Sequence, residues 1–421
     1  MRWRTDGRRA QRIVLVIALL TVASHVIGVA APRQRTSEHF AITYETQFGA
    51  SSGSYAQLVE GYLESAYTYY MAAGFELFPG IIEVEILETD AGELGAEYLL
   101  EDEMGAWVPI IEITSESIME DYLSYAYVAS SLEDLVASTC AHELFHVIQD
   151  YHSLQGDGDV SELSFVEPHA TAIQELVVPT ANDYLGPALD LLLAPDGMAF
   201  FERSYDGGIF WVYFLDRFGS EALLQLMDSS ARYDGRFAID HALSFQDLTF
   251  FDVWADFALS LAISDVPDSD VLATLVPEAE GSGWWTRTRN PAQIPPVVVQ
   301  STWEGVEQTI ETVNATNTSE YIPNFEDDPI GADLRIAHSY GIDILEITPG
   351  STVPMLIVFA GDSGSEFRTA IASETSTGWT SAVFENSIAL TPDVDTSRIR
   401  IVITRSEPGT GEYTVTLRPG S

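Results

Sequence analysis

Residues 131–151 carry apolar side chains at helical spacing, Leu132, Leu135, Val136, Leu144, Phe145 and Ile148, and inside that run stands His142-Glu143-Leu144-Phe145-His146. No other segment constrains the chain as much. Four residues at 100° each leave the two imidazoles about 40° apart on one helix face, close enough to share a metal ion. Zn²⁺ accepts neutral imidazole nitrogens readily. Glu143 lies beside that face, where a carboxylate can take a proton from metal-bound water. With eight histidines and 64 acids in 421 residues, on the order of 0.02 such matches arise by chance. The competing reading is a solvated helix with incidental histidines.

Two imidazoles are not enough for a protein zinc site, and two residues are candidates for the third ligand. His152 completes His-x3-His-x5-His, a spacing that needs a sharp turn three residues after His146. That position is Gln149, and a Gln forced into a left-handed turn costs on the order of 1–2 kcal/mol. If the helix continues, His152 sits about 80° around from His142 and further along. Glu167, on the next expected helix at 163–178, is the other candidate. Ser164-x-x-Glu167 also matches a capping box, in which the carboxylate would cap its own helix, and Pro168 fits a first turn that starts close to Glu167. His169 is roughly 200° around the helix from Glu167, so the two do not face one ion together. Glu175, two turns beyond Glu167, is a candidate to orient a ligand histidine. Cys140, roughly 200° around from His142, reads as a buried thiol rather than a ligand.

The segments HELFHVIQ (142–149) and FVEPHATAIQE (165–175) resemble the gluzincin class of zinc metallopeptidases. They are more closely similar to a group of exported proteins with HE-aromatic-aromatic-H-x-x-Q and a following Glu-x-x-Ala helix. The likeness runs over about 38–262 and includes EHFAITYE at 38–45 and Tyr205-Asp-Gly-Gly-x-Phe-Trp. It implies His142, His146 and Glu167 as ligands of one Zn²⁺, Glu143 as general base, and a polypeptide substrate. Thermolysin-like members carry an Asp four residues after the ligand Glu, where this chain has Thr171. The expected chemistry is hydrolysis by a water whose pKa the ion lowers towards about 7, with Glu143 passing the proton to the leaving amine. Tyr205 is the candidate oxyanion donor, and strand 108–114 the candidate sheet edge for an extended peptide.

Around the motif, the pattern predicts strands at 38–45, 81–88 and 108–114, and helices at 55–73, 131–151, 163–178, 185–194, 208–228 (broken at Gly219) and 249–263. This is an α+β, zincin-like domain over 32–275, a small sheet followed mostly by helices. Residues 276–297 hold Pro277, Gly281, Gly283, Pro291, Pro295 and Pro296 and read as a linker. Short strands at 333–338, 342–348, 354–360, 367–373, 382–390, 398–404 and 412–417 then predict an all-β sandwich over 298–421.

The charge balance sets the environment. Arg2, Arg4, Arg8, Arg9 and Arg12 precede an apolar run from Ile13 to Val22, the pattern of a signal peptide cut near Ala31; the alternative is an uncleaved membrane anchor over 13–31. The rest of the chain, 32–421, holds 14 Arg, no Lys and 63 acids, a net −49. Such a field repels phosphate backbones, which excludes nucleic-acid binding. It also fits a saline setting, where salt screens carboxylate repulsion. A single cysteine excludes an internal disulfide framework. Asn314 and Asn317 open glycan acceptor tripeptides, and the acidic stretches 156–159 and 326–328 are Ca²⁺ candidates without EF-hand spacing. The expectation is a secreted zinc endopeptidase with a β-sandwich appendage. The alternative is a zincin-like surface protein that no longer cleaves, its sandwich serving adhesion.

Overall fold

The computed structural model describes residues 32–44, 53–89, 93–101, 105–123, 131–154, 163–193, 200–230, 233, 235–272, 299–311, 342–361, 366–406 and 413–420. The expected signal segment 1–31, linker 276–297, strand 333–338, both glycan tripeptides and both acidic stretches lie outside them. The chain divides into two compact units: residues up to 161 with 169–186 and 220–232, and 162–168 with 187–219 and 233–421.

The first unit is built on a mixed five-stranded sheet of β1 (Arg33–Thr36), β2 (Phe40–Tyr44), β3 (Ile82–Leu87), β4 (Gly95–Glu101) and β5 (Trp107–Thr114), in the order β1-β2-β3-β5-β4. β2, β3 and β5 run parallel, and antiparallel β1 and β4 close the two edges. Helix α1 (Gly53–Ala73) joins β2 to β3 and buries Tyr55, Val59, Leu63, Ala66 and Tyr70, a stripe at three- to four-residue spacing. The expected sheet edge at 108–114 is corrected: β5 hydrogen-bonds to β3 on one side and β4 on the other, so the edge is β4.

Two further helices set the site. After the short α2 (Glu116–Leu123), helix α3 (Leu132–Leu154) carries the histidine motif. Every residue from Leu135 to Phe145 is buried, so α3 is a helix enclosed on all sides rather than one with a single apolar face. Its polar backbone is served from the neighbours: Tyr70 Oη donates to the Ala141 carbonyl at 2.8 Å. Phe145 packs against Tyr70 and Phe75 with ring centroids 5.6 and 5.4 Å apart, spacings that favour tilted and edge-to-face rings. Helix α4 runs Leu163–Val177. Its start is therefore four residues before Glu167, and Pro168 lies inside the helix rather than in a first turn. Ser164 is likewise within the helix, not its cap.

Helices α5 (Leu185–Leu193), α6 (Gly208–Ser230), α7 (Arg236–Leu243) and α8 (Phe250–Ile263) follow in sequence, the second unit taking 187–193 of α5, 208–219 of α6 and all of α7 and α8. The backbone of α6 breaks at Gly219 (φ 75°, ψ 174°), a conformation open to a residue without Cβ. Thr249 and Asp252 form a capping box at the start of α8. Phe200, Phe210, Trp211, Phe250 and Trp254 form a fully or nearly fully buried aromatic cluster.

The same unit contains two sheets, assembled from β6 (Val299–Trp303), β7 (Gln308–Glu311), β8 (Ile342–Pro349), β9 (Met355–Gly361), β10 (Phe367–Thr375), β11 (Gly378–Phe384), β12 (Ser387–Leu390), β13 (Arg398–Arg405) and β14 (Tyr413–Pro419). Their orders are β11-β10-β13-β8-β6 and β12-β9-β14-β7. Alternate residues of both, among them Trp303, Ile347, Ile357, Ile401 and Val415, enclose one apolar core. The single strand expected at 382–390 is two, β11 and β12. Arg400 Nη1 donates to the carbonyl of Ala262 near the end of α8 and stands over Trp379.

Candidate metal centre

Consecutive turns of α3 place His142 and His146 side by side, with ring centroids 4.7 Å apart and Nε2 atoms 3.0 Å apart. One carboxylate oxygen of Glu167 joins them: a ligand atom from each of the three residues lies within 4.8 Å of the other two, so the group could hold a metal ion. Among the described residues, it is the group of His, Cys, Asp or Glu side chains with that geometry. His152 is outside it, and its Nε2 is buried without a hydrogen-bond partner. His169 is 1% exposed, and burial lowers its pKa to about 3, so it stays neutral at every ordinary pH. Cys140 is fully buried, and burial raises the thiol's pKa.

Both Nδ1 atoms meet side-chain amides. His142 Nδ1 is 2.9 Å from Gln174 Oε1, and His146 Nδ1 is 2.7 Å from Gln149 Oε1. Gln174, not Glu175 as expected, is thus the residue of α4 that meets the Nδ1 of His142. It is seven residues beyond Glu167, on the helix face that also carries Thr171 one turn earlier. Gln174 Nε2 in turn donates to Asp183 Oδ1 at 2.5 Å, and Ser138 Oγ donates to Asp183 Oδ2 at 2.9 Å. Burial raises the pKa of Asp183, against the effect of those hydrogen bonds.

Glu143 is 6% exposed and faces β4. A Cβ built on Gly95 would lie 2.6 Å from Glu143 Cγ and 2.7 Å from Oε1. Only a strand without a side chain at this point admits the carboxylate. Further along β4, burial raises the carboxyl pKa of Glu97, and Asp150, hydrogen-bonded to it, raises it again. Asp150 is also raised by burial, while the nearby His146 lowers it. Two carboxyls so close hold a proton between them more readily than either alone.

Tyr205 is 45% exposed on the 3₁₀ turn Tyr205–Gly207, where Gly207 packs on Pro168. Gln149, Gln174, Asp183 and Gly95 were missed as site residues in the sequence. The helical offsets, three from His146 and seven from Glu167, were the only signal available for the two glutamines. The chain matches no protein-family model and no curated protein sequence. No helix among the described residues is long and apolar enough to cross a membrane.

Proposed function

We propose that the chain is an exported, zinc-dependent endopeptidase of the gluzincin kind, with His142, His146 and Glu167 holding the ion and Glu143 as general base. The observation that carries the reading is the donor set itself. Tetrahedral zinc with Zn–N bonds of 2.0–2.1 Å sets its ligand nitrogens about 3.3 Å apart, and the two Nε2 atoms stand 3.0 Å apart with a carboxylate in reach. Two imidazoles and one carboxylate also leave a fourth position open, as catalytic zinc sites do.

A zinc ion supplies Lewis acidity, activating water and polarising a carbonyl. The chain's residues do the rest. Glu143, adjacent in sequence to the first ligand, accepts the proton released from water and returns it to the leaving amine. Its burial against β4 keeps competing solvent from that carboxylate. β4 is a sheet edge directly beside Glu143, which suits an extended polypeptide adding by main-chain hydrogen bonds. Tyr205 remains the proposed oxyanion donor, and its exposure leaves the phenol accessible.

The test is metal content and casein hydrolysis of the secreted chain, wild type against Glu143→Gln. One zinc per chain, hydrolysis by the wild type and loss of at least about 100-fold in the variant are expected. Stoichiometric zinc without hydrolysis would instead favour the non-cleaving surface protein.

A further inference from the structure

Facing an ionised Asp183, which only accepts, the amide of Gln174 presents its NH₂ group to the carboxylate. Its Nε2 faces Asp183 Oδ1 at 2.5 Å, and an NH₂ group can only donate there. Its Oε1 must then face His142 Nδ1, at 2.9 Å, and an amide oxygen can only accept. His142 is therefore protonated on Nδ1, and the lone pair of its Nε2 points to the Nε2 of His146. Asp183 is fixed in turn by Ser138 Oγ at 2.9 Å, and Thr180, on the same connecting turn, is tied to α3 by donating to Asp134 Oδ1 at 2.8 Å. The chain of contacts Ser138–Asp183–Gln174–His142 thus starts and ends on α3.

We infer that Gln174, oriented by Asp183, is a positioning residue for the metal centre: it holds His142 as the Nδ1–H tautomer, so that its Nε2 lone pair is the one offered to an ion held by His142, His146 and Glu167. The inference rests on the metal reading above. Its chemical content lies in the neutrality of the link. A carboxylate against Nδ1 would do the same orienting while adding a negative charge and raising the imidazole's basicity. This site already has Glu143, Glu167, Glu97 and Asp150 nearby. An amide fixes the tautomer without a carboxylate in contact with the ring, Asp183 standing one link behind it, so the ion keeps more of its electrophilic character. Gln149 does the same for His146, from one turn along the same helix.

The experiment measures zinc affinity by chelator competition on the folded full-length chain, which does not depend on turnover. Gln174→Leu should weaken zinc 10- to 100-fold. Asp183→Asn should weaken it several-fold in the wild-type background and distinctly less when Gln174 is already Leu, because Asp183 acts chiefly through that amide. Gln149→Glu, which keeps the shape and adds the charge, should tighten zinc about tenfold. A merely structural role would give additive losses and no gain. If the wild type binds zinc and these variants bind it within twofold of wild type, the inference is overturned and the metal reading stands. If Asp183→Asn weakens zinc equally in both backgrounds, Asp183 does not act through Gln174 and the inference is likewise overturned. If the wild type binds no zinc, both fall together.

Discussion

Gly95→Ala is a small change that should cost most of the proposed peptidase activity. The added Cβ would stand 2.6 Å from Glu143 Cγ, 2.9 Å from Cδ and 2.7 Å from Oε1, where ordinary contact begins at 3.4 Å. Relief requires a displacement of about 0.8 Å, from the carboxylate or from the strand. The carboxylate has little space to yield, since Glu143 is 6% exposed and its neighbours Leu144 and His142 are buried as well. The strand is held by its ladder to β5, in which Gly95 pairs with Ile113. A displacement of that order at a reacting group costs roughly 100-fold in rate, or about 2.7 kcal/mol of barrier. Packing strain should destabilise the fold by about 1–3 kcal/mol.

If the proposed function holds, the expected result is therefore a kcat for peptide hydrolysis near 1% of wild type, with zinc content unchanged, because none of the proposed ligands is touched. Gly61→Ala serves as the control: its Cβ would meet nothing within 4 Å, and replacing Gly in the interior of α1 should stabilise by about 0.5–1 kcal/mol. Glu143→Gln sets the floor. A Gly95→Ala enzyme with full zinc occupancy and a kcat within threefold of wild type would refute the argument, since Glu143 would then not be held by the bare backbone of β4.

Three other outcomes follow from packing and charge. Glu374 is held at a pKa of about 2, against an ordinary 4.5, chiefly by its hydrogen bonds from Arg398. A carboxylate with a lowered folded pKa contributes stability above 4.5 and loses it as pH falls towards 2. The stability gap between wild type and Glu374→Gln in urea titrations should thus be widest above pH 5 and close by pH 2, never exceeding about 1 kcal/mol for so exposed a pair; a gap that widens on acidification contradicts it. Cys140, fully buried with its pKa raised by burial, should be inert to a thiol reagent at pH 8 and react at once in denaturant; equal rates would mean α3 is not enclosed. With 63 acids against 14 Arg in residues 32–421, the melting temperature should climb by several degrees between 0.1 and 1 M NaCl as the screening length drops from about 10 to 3 Å, and a flat response removes the saline reading.

The elements that the sequence announces are those whose burial is periodic. β3 alternates with Ile82, Val84 and Ile86 inward, and α1 carries its stripe of apolar residues, so both stand within two residues of the expected ranges. β4 was missed because six of its seven residues are half-buried and its pattern has no period to read. α2 and α7 are eight residues each, too short to establish a helical repeat. β11 and β12 ran together because Glu385-Asn386 between them contains neither Gly nor Pro. The order β1-β2-β3-β5-β4 follows from the antiparallel return of β4, so missing β4 also misplaced the sheet edge.

The same division runs through the site. His142 and His146 are related by one turn of one helix, so their proximity is a property of local geometry and is legible from spacing alone. Glu167 needed in addition that two helices approach, which the small residue Ala170 beside it suggested. Gln174 could be read as sharing the face of Glu167, but not as preferred over Glu175, because the choice depends on Asp183. That residue comes after a turn in which Asn182 adopts a left-handed φ of 50°, a conformation that Asn tolerates better than most but that nothing obliges it to take. A periodic pattern specifies which side of an element is buried; it does not specify which polar partner a loop delivers to that side. The candidate donors belong to the first kind of information and the groups that orient them to the second, and for that reason the grouping of His142, His146 and Glu167 could be proposed from spacing while the hydrogen-bond chain behind His142 required the fold.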